Sequence, residues 1–344
     1  MLNSYPEASV RSVVSQVCVP SFFAGVISLA FTLGALPYAR AQTAASFPSK
    51  PIRIMAVAPG GVNDVLARII GQKWTELWGH PVVIDNRGGA GGTISVAAGA
   101  SAPADGYTLI MGATSNVAIA VGMYPKLGYD PLKLTPITNV ASVPYVLAVN
   151  PSVPARNVRE LVAIGKSKKG LLNYGTAGVG GITHLAAELF ISMSGADIVH
   201  VPYKGTVAAV TDLVAGRIDM ILAAYSSIAP HAKTGKLRVL AVTGSKRSSA
   251  APQLPTIAEA GVKGYSVDPW FGLVAPPGVP KDIVNKLNSA TINALKSPDV
   301  VKRFMGLGYE AIGDTPAQFG ATIRNDVEKY VRVISSAGIK PQEQ

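Results

Sequence analysis

The chain has 344 residues, of which 48% are hydrophobic and only 15% charged. This balance excludes an intrinsically disordered chain, and the length is sufficient for two domains of ordinary size. The formal charge is +11, but the basic residues are scattered and no zinc-finger or helix-turn-helix pattern accompanies them. We therefore expect an electrostatic field that attracts small anions, and no nucleic-acid partner.

Residues 1–41 are predicted to be a cleaved signal peptide. Their apolar run, residues 21–36 between two prolines, is shorter than the roughly 20 residues that an uncleaved membrane anchor needs. Ala39-Arg40-Ala41 then supplies the small-x-small pattern that signal peptidase reads, so cleavage is expected after Ala41. The only cysteine, Cys18, lies in this segment. The exported chain is thus predicted to have no thiol chemistry.

Strands and helices are predicted to alternate along the mature chain. The first series is a strand at 52–57, a helix after Gly61, a strand at 82–84, a helix at about 93–101 and a strand at 107–112. After residues 146–151, the second series is a helix at about 158–167, a strand at 172–174, a helix after Gly181, a strand ending at Tyr203, a helix through Leu213 and strands at 218–222 and 237–242. A strand at 270–275 and helices at about 280–296 and 316–335 close the chain.

This alternation predicts an α/β fold with mostly parallel strands and helices on both faces of the sheet. The two series share no obvious sequence repeat, and two chain crossings, near 144–150 and 266–275, would act as hinges. The expected architecture is two lobes with a ligand cleft between them. Lobe 1 is predicted at 46–143 and 269–344, and lobe 2 at 144–268.

Two glycine-rich turns stand between a strand and a helix, one in each series. They are Pro59-Gly60-Gly61 and the loop from Gly175 to Gly181, where the hydroxyls of Thr176 and Thr183 are close. Such a turn exposes backbone N–H groups at the positive end of a helix dipole, which binds anions without a charged side chain. Most glycine-rich turns bind no ligand, but two of them in equivalent places in the two series favour an anion-binding site.

Further candidates follow the strands at the edge where open α/β sheets bind ligands. Thr114, Ser115 and Asn116 come directly after the third strand and offer hydroxyl and amide donors. Tyr203 is a candidate wall, because its ring can pack against a ligand while its hydroxyl forms a hydrogen bond.

Three charged residues keep two interpretations each. Asp64 either stabilises the start of its helix or orients a water or a ligand hydroxyl. Arg87 either forms a structural salt bridge with a neighbouring acid or clamps a carboxylate. Lys204 either lines the cleft or remains solvated.

The sequence offers little for catalysis. Its four histidines, His80, His184, His200 and His231, lack metal-ligand spacing, and neither a nucleophile elbow nor a Walker motif is present. His184 stands in the first turn of a helix, where a neutral capping or packing role is favoured over proton transfer. We predict no enzyme activity and no cofactor.

Six motifs in the same order give the chain, from about residue 46 to its end, a resemblance to the Bug family of tripartite tricarboxylate transporter substrate-binding proteins. The motifs are Pro48 to Arg53 (PSKPIR), Pro59 to Asp64 (PGGVND), Asp85 to Gly92 (DNRGGAGG), Asp105 to Leu109 (DGYTL), His200 to Gly205 (HVPYKG) and Trp270 to Pro276 (WFGLVAP).

The resemblance implies a periplasmic binding protein with a two-lobed Venus flytrap fold of the type II kind. It implies a small carboxylate as ligand and membrane permease subunits as partner; a histidine-kinase receptor that senses the bound ligand is the alternative. We expect a monomer. In this family, backbone amides and bound waters hold the ligand carboxylate, and the matching amides here are those of Gly60, Gly61, Ala177, Gly178, Val179 and Gly180.

The sequence departs from its relatives at two places that bear on the ligand. Many of them have an aromatic residue and proline where Val57 and Ala56 stand, and an acidic or amide residue where Ala223 and Ala224 stand. Losing a carboxylate at the second place removes a partner for a ligand ammonium. We therefore predict a non-amino acid ligand, either a dicarboxylate or an aromatic acid.

Overall fold

The computed structural model describes residues 47–167 and 170–342, and the predicted signal peptide with Cys18 lies outside them. The strands are β1 (Ile52–Ala56), β2 (Val82–Asn86), β3 (Thr108–Ala113), β4 (Thr135–Ser142), β5 (Tyr145–Val149), β6 (Leu172–Thr176), β7 (Ile198–Pro202), β8 (Met220–Ala224), β9 (Arg238–Val242), β10 (Trp270–Ala275) and β11 (Glu310–Ala311).

The α-helices separate these strands or follow them. They are α1 (Val62–Trp78), α2 (Thr93–Ala100), α3 (Ala120–Met123), α4 (Val158–Ser167), α5 (Ile182–Ser194), α6 (Thr206–Val214), α7 (Tyr225–Lys233), α8 (Lys281–Lys296), α9 (Pro298–Leu307) and α10 (Pro316–Ser336). Within the part of the chain that the structure describes, no helix is both long and apolar enough to cross a bilayer.

The strands form two sheets, one in each lobe. The lobe 1 sheet has the order β11-β4-β10-β3-β1-β2, and the lobe 2 sheet has the order β7-β6-β8-β5-β9. The two-lobed α/β architecture predicted from the sequence is therefore confirmed.

The prediction of mostly parallel sheets is wrong, because both sheets are mixed. β1 runs parallel to β2 and β3, and β6 runs parallel to β7 and β8. β10 runs antiparallel to β3 and β4, and β5 runs antiparallel to β8 and β9. Each of these two strands arrives directly from the other lobe. It enters its sheet at the edge where the parallel strands end, so its direction is opposite to theirs.

The two chain crossings lie side by side. The Val143 N–H donates to the Pro269 carbonyl at 3.0 Å, and the Ser142 hydroxyl donates to the same carbonyl at 3.3 Å. β5 begins where Tyr145 pairs with Ala224, at the carboxyl end of β8. This edge of the lobe 2 sheet therefore adjoins the segments that lead back to lobe 1.

Apolar helix faces cover the sheets and set the position of the turns. In lobe 1, Leu66, Ile70 and Trp74 of α1 are fully buried in the cluster that contains β1. In a second lobe 1 cluster, Leu185 of α5 packs with residues of α3 and α10. The helix that follows the lobe 2 glycine loop belongs to the lobe 2 core through Ala186, Ala187 and Phe190, and Leu185 joins its start to lobe 1. This contact brings the loop against the first lobe.

Candidate functional site

The two glycine turns have the same backbone. We call residues 57–61 the lobe 1 turn and residues 177–181 the lobe 2 turn. Gly60 and Gly180 both have a φ of 74°, in the left-handed region that favours glycine. Gly61 (φ −73°, ψ 167°) and Gly181 (φ −75°, ψ 167°) then lead into α1 and α5, and neither helix start has a side-chain cap on its N-cap residue.

Each turn is fixed by a side chain from the first helical turn that follows it. The Gly60 N–H donates to Asp64 Oδ2 at 2.9 Å, and the Gly180 N–H donates to His184 Nδ1 at 3.0 Å. The acceptor stands four residues after the glycine in both lobes. The capping role predicted for His184 is therefore confirmed, and Asp64 has the corresponding role in lobe 1.

Asp64 is only 3% exposed, and its carboxylate has several partners. Arg68 Nε lies 3.0 Å from Oδ2, and Asn86 Nδ2 donates to Oδ1 at 3.0 Å. Burial opposes ionisation, but the hydrogen bonds from Arg68, the Gly60 amide and Asn86 outweigh it and lower the pKa of Asp64. Of its two interpretations, the structure supports the one at the helix start.

His184 is 5% exposed and belongs to a cluster of polar rings and one carboxylate. Its ring stacks on that of His200 with centroids 4.0 Å apart, and its Nε2 lies 3.6 Å from Glu188 Oε1. The Tyr174 hydroxyl donates to the same Glu188 oxygen. Burial, and then the neighbouring His184, lower the pKa of His200 to about 4.

The predicted lobe 1 donors after β3 have different surroundings. Thr114 is buried, and its hydroxyl accepts the Trp270 N–H at 2.9 Å. Asn116 is also buried, and its side-chain oxygen accepts the Ala113 N–H at 2.7 Å. Both side chains therefore hold the end of β3 in place. Ser115, between them, is partly exposed and lines a cavity.

Most predicted donors of lobe 2 also have partners within the chain. The Ala177 N–H donates to Thr183 Oγ1 at 2.9 Å, and the Gly178 N–H lies 3.3 Å from Thr176 Oγ1. The Thr176 hydroxyl also forms a hydrogen bond of 2.7 Å with His200 Nε2. These bonds shape the loop, and they leave the Val179 amide and the first-turn amides of α5 as the donors that can face a ligand.

The other residues predicted from the sequence are Tyr203, Arg87, Lys204 and the glycines of the lobe 1 turn. The Tyr203 hydroxyl donates to Asp212 Oδ2 at 2.8 Å, while its ring packs beside Gly175. Arg87 forms a salt bridge with Asp85 at 3.1 Å, in agreement with its structural interpretation. Lys204 is exposed. Pro59, Gly60 and Gly61 are exposed too, and a Cβ added at Gly60 would meet no atom within 4 Å.

A cavity of about 210 Å³ is lined by both lobes and borders the lobe 2 turn. Its lobe 1 wall consists of Gly91, Ser115, Ile119, Met123 and Tyr124, its lobe 2 wall of Val179, Gly180 and Gly181, and Gln342 completes it. Among the described residues that line it, none carries a charged side chain. The cavity therefore combines apolar walls with backbone amides and a few neutral polar groups.

A larger cavity, of about 640 Å³, lies in lobe 1 between α8 and α10. Thr135, Lys281 and Arg324 are among its lining residues. Thr135 pairs with Ala275 at the end of β10 that is opposite to Trp270. This cavity thus lies at the far edge of the lobe 1 sheet from the glycine turns, and the smaller cavity is the better candidate site.

Several lining residues, among them Met123, Tyr124 and Gln342, were not predicted from the sequence. Met123 packs against Gly180, since a Cβ added there would lie 2.2 Å from its Cε. The Gln342 side chain donates to the Val179 carbonyl at 3.2 Å, and the Gln342 N–H donates to the Met123 carbonyl at 2.7 Å. Tyr124 lies above Gly91. No local motif marks these residues, because they reach the site through long-range packing.

The positions where the sequence departs from its relatives are also near the turns. Val57 packs against Gly92, where φ is 93° and an added Cβ would lie 2.9 Å from Val57 Cγ2. Ala223 is fully buried, and Ala224 is the N-cap residue of α7 at the carboxyl end of β8. Neither alanine lines the cavity.

Comparisons with known proteins identify the family of this chain. The model of a family described as "Tripartite tricarboxylate transporter family receptor" matches residues 66–339. The protein BugT of Bordetella pertussis is 35% identical over 301 residues, which cover 87% of this chain and 92% of BugT.

Two solved structures from Rhodopseudomonas palustris are similar over their whole length. Rpa4515 with adipate has a TM-score of 0.72 and 35% identity, and the match covers 86% of this chain and 100% of that one. MatC (Rpa3494) with bound malate has a TM-score of 0.69 and 31% identity, with coverage of 84% and 100%.

Proposed function

Because the chain belongs to the tripartite tricarboxylate transporter family receptors, we propose that it is an exported solute-binding protein that captures a small carboxylate between its two lobes. The observation that carries the proposal is the cavity of about 210 Å³, to which both lobes contribute and on which the lobe 2 turn borders. Binding without catalysis is the role that its neutral lining supports.

The donors that we assign to the carboxylate are backbone amides. The first amides of a helix have no acceptor within the helix. Those of Val62 and Asn63 in α1, and of Ile182 and Thr183 in α5, adjoin the two turns. They carry the positive ends of two helix dipoles, and Ser115 adds a hydroxyl. Gly60 and Gly180 act differently, since their own amides are used to fix the turns.

We further propose that the ligand is not an amino acid. None of the residues that line the cavity in the described part of the chain carries a carboxylate that could pair with a ligand ammonium. The walls formed by Ile119, Met123 and Val179 suit an apolar chain or ring. A dicarboxylate such as adipate, which a relative binds, and an aromatic acid such as benzoate are the two classes to test.

The proposed lobe boundaries follow the crossings, with lobe 1 at 46–143 and 269–344 and lobe 2 at 144–268. The proposed partner is the permease of a tripartite transporter, which would receive the ligand from the closed, monomeric protein in the periplasm. Uptake of the ligand in cells with and without this chain tests the partner. Unchanged uptake, together with loss of ligand-induced gene expression, would indicate a sensor kinase instead.

A thermal-shift screen of the mature chain tests the ligand class. We expect adipate, malate or benzoate to raise the melting temperature, because a ligand at 100 times its dissociation constant stabilises the folded state by about 2.7 kcal/mol. The matched controls are adipamide, malamide and benzamide, which lack the charge and are expected to give no shift. Stabilisation by aspartate or glutamate alone would contradict the prediction of a non-amino acid.

A further inference from the structure

The turns of the two lobes correspond residue by residue, and their supporting charges are inverted. Gly60, Asp64 and Arg68 stand 120 positions before Gly180, His184 and Glu188. In lobe 1 an acid caps the glycine amide and a base pairs with the acid, since Arg68 Nη2 lies 2.9 Å from Asp64 Oδ1. In lobe 2 an imidazole caps the amide and an acid lies 3.6 Å from the imidazole.

We propose that His184 is a positioning residue whose protonation releases the lobe 2 turn, so that mild acid weakens the grip of lobe 2 on the carboxylate while Asp64 keeps the lobe 1 turn fixed. The part that concerns the carboxylate rests on the proposed function. The part that concerns the turn does not.

The hydrogen bond to Gly180 determines which nitrogen of His184 carries the proton. Nδ1 accepts the Gly180 N–H at 3.0 Å, so in the neutral ring the proton is on Nε2, which faces Glu188. A protonated ring is a donor at both nitrogens. Nδ1–H would then face the Gly180 N–H with no acceptor between them, and the cap would be lost. A carboxylate accepts at both oxygens throughout this pH range, so Asp64 has no such transition.

Three titratable groups face the His184 ring. Tyr174 comes from β6, His200 from β7 and Glu188 from α5 itself. α3 contributes Met123, which is uncharged, on the other side of Gly180. Glu188 is the only carboxylate of these three groups, and the pKa of His200, lowered by burial to about 4, keeps that ring neutral at pH 5.5. A change in the turn between pH 7.5 and 5.5 would thus not come from protonation of His200.

The loss of the cap would reach the cavity directly. Gly180 and Gly181 line the cavity, and Gly180 packs against Met123 of lobe 1. The first-turn amides of α5 follow immediately. If the turn were free to move, these amides would no longer point in one fixed direction. The carboxylate would then bind more weakly, because preorganised donors bind a ligand better than mobile ones.

Amide hydrogen exchange in glycine-labelled protein tests the turn without any ligand. Gly60 serves as the reference within the same molecule, and a ¹³C label on the preceding Pro59 or Val179 assigns each signal. We expect the exchange rate of Gly180 relative to Gly60 to rise about tenfold between pH 7.5 and 5.5, the equivalent of one lost hydrogen bond. An unchanged ratio in the wild-type protein would overturn the proposal.

His184→Asn is the informative variant, because its side-chain oxygen can take the place of Nδ1 and does not titrate. We expect its Gly180 to Gly60 ratio to stay constant, whereas His80→Asn, at a histidine remote from both turns, should behave as the wild type. A ratio that still changes in His184→Asn would also overturn the proposal. If that variant does not fold, the wild-type comparison of the two glycines remains decisive.

Calorimetry with adipate tests the link to binding. Protonation of adipate affects all variants alike, so only the difference between them reports His184. We expect the dissociation constant to rise between pH 7.5 and 5.5 about five- to tenfold more in the wild type than in His184→Asn. An equal rise in both would refute the link, and absence of adipate binding at pH 7.5 would count against adipate as ligand, leaving the exchange result unaffected.

Discussion

In lobe 1 the glycine turn is held by a carboxylate, whereas in lobe 2 an imidazole occupies the same position. Asp64 gathers hydrogen bonds from Gly60, Arg68 and Asn86, so the lobe 1 turn is stabilised within its own lobe. The Gly180 N–H, in contrast, donates to His184 Nδ1, and Gly180 packs against Met123 of the other lobe. The same backbone is therefore fixed by a carboxylate of its own lobe in one case, and by an imidazole together with a contact to the opposite lobe in the other.

The largest difference should appear when each glycine is replaced by alanine. Gly60→Ala adds a Cβ in open space, so only the left-handed backbone opposes it, at about 1 kcal/mol. Gly180→Ala has the same backbone cost and adds overpacking against Met123, for a total of about 3 kcal/mol. Urea unfolding of the two variants gives both values.

A double-mutant cycle with Met123→Ala serves as the control for this comparison. If Met123 causes the additional cost, the two substitutions should be non-additive, with a coupling of about 1–2 kcal/mol. Equal losses for Gly60→Ala and Gly180→Ala would show that the contact between the lobes does not constrain the lobe 2 turn.

Asp64→Ala should lower the free energy of unfolding by about 2–3 kcal/mol. The substitution leaves the Gly60 N–H without its acceptor, and Arg68 and Asn86 without their shared partner. Asp64→Asn keeps an acceptor for Gly60 and should lose about half as much. Because the pKa of Asp64 is lowered in the folded state, its contribution is present above the unfolded value near 4 and is lost only as the pH falls through the folded value. A loss that already appears at pH 5.5 would contradict this.

His200 should make a smaller contribution to the pH dependence of the free energy of unfolding. Its folded pKa of about 4 lies below the unfolded value near 6.5. As the pH falls, His200 is protonated in the unfolded chain before it is protonated in the folded one. Its contribution to the free energy of unfolding is therefore fully present above pH 6.5 and decreases as the pH falls towards 4. Partial exposure of the ring limits the loss at pH 5.5 to about 1 kcal/mol. His200→Gln retains a polar partner for Thr176, and its thermal unfolding should not show this loss of stability at low pH. If the pH profile of the variant equals that of the wild type, His200 does not cause the loss.

The sequence predicted the features that depend on local patterns. The glycine turns, the long amphipathic helices and the cap at His184 follow from residue types at fixed spacing, and the structure has them in those places. β4 was missed, because Pro136 and Asn139 weaken its strand pattern and its pairing with β10 and β11 comes from distant parts of the chain.

The site was harder to predict than the fold. Thr114 and Asn116 follow a strand as ligand-binding residues do, but the direction of their side chains is set by packing, and they bond to the protein itself. Met123 and Gln342 meet the lobe 2 turn across the cavity. The correspondence between the lobes was hidden because the turns share glycines, whereas Asp64 and His184 perform one task with different chemistry.

A crystal structure of the mature protein with the acid identified by the thermal screen would show whether both lobes hold one carboxylate beside the smaller cavity. We expect the carboxylate oxygens to lie about 2.7–3.2 Å from amide nitrogens at the start of α1 and in the segment from Val179 to Thr183. A ligand held by one lobe alone, or seated between α8 and α10, would contradict this expectation.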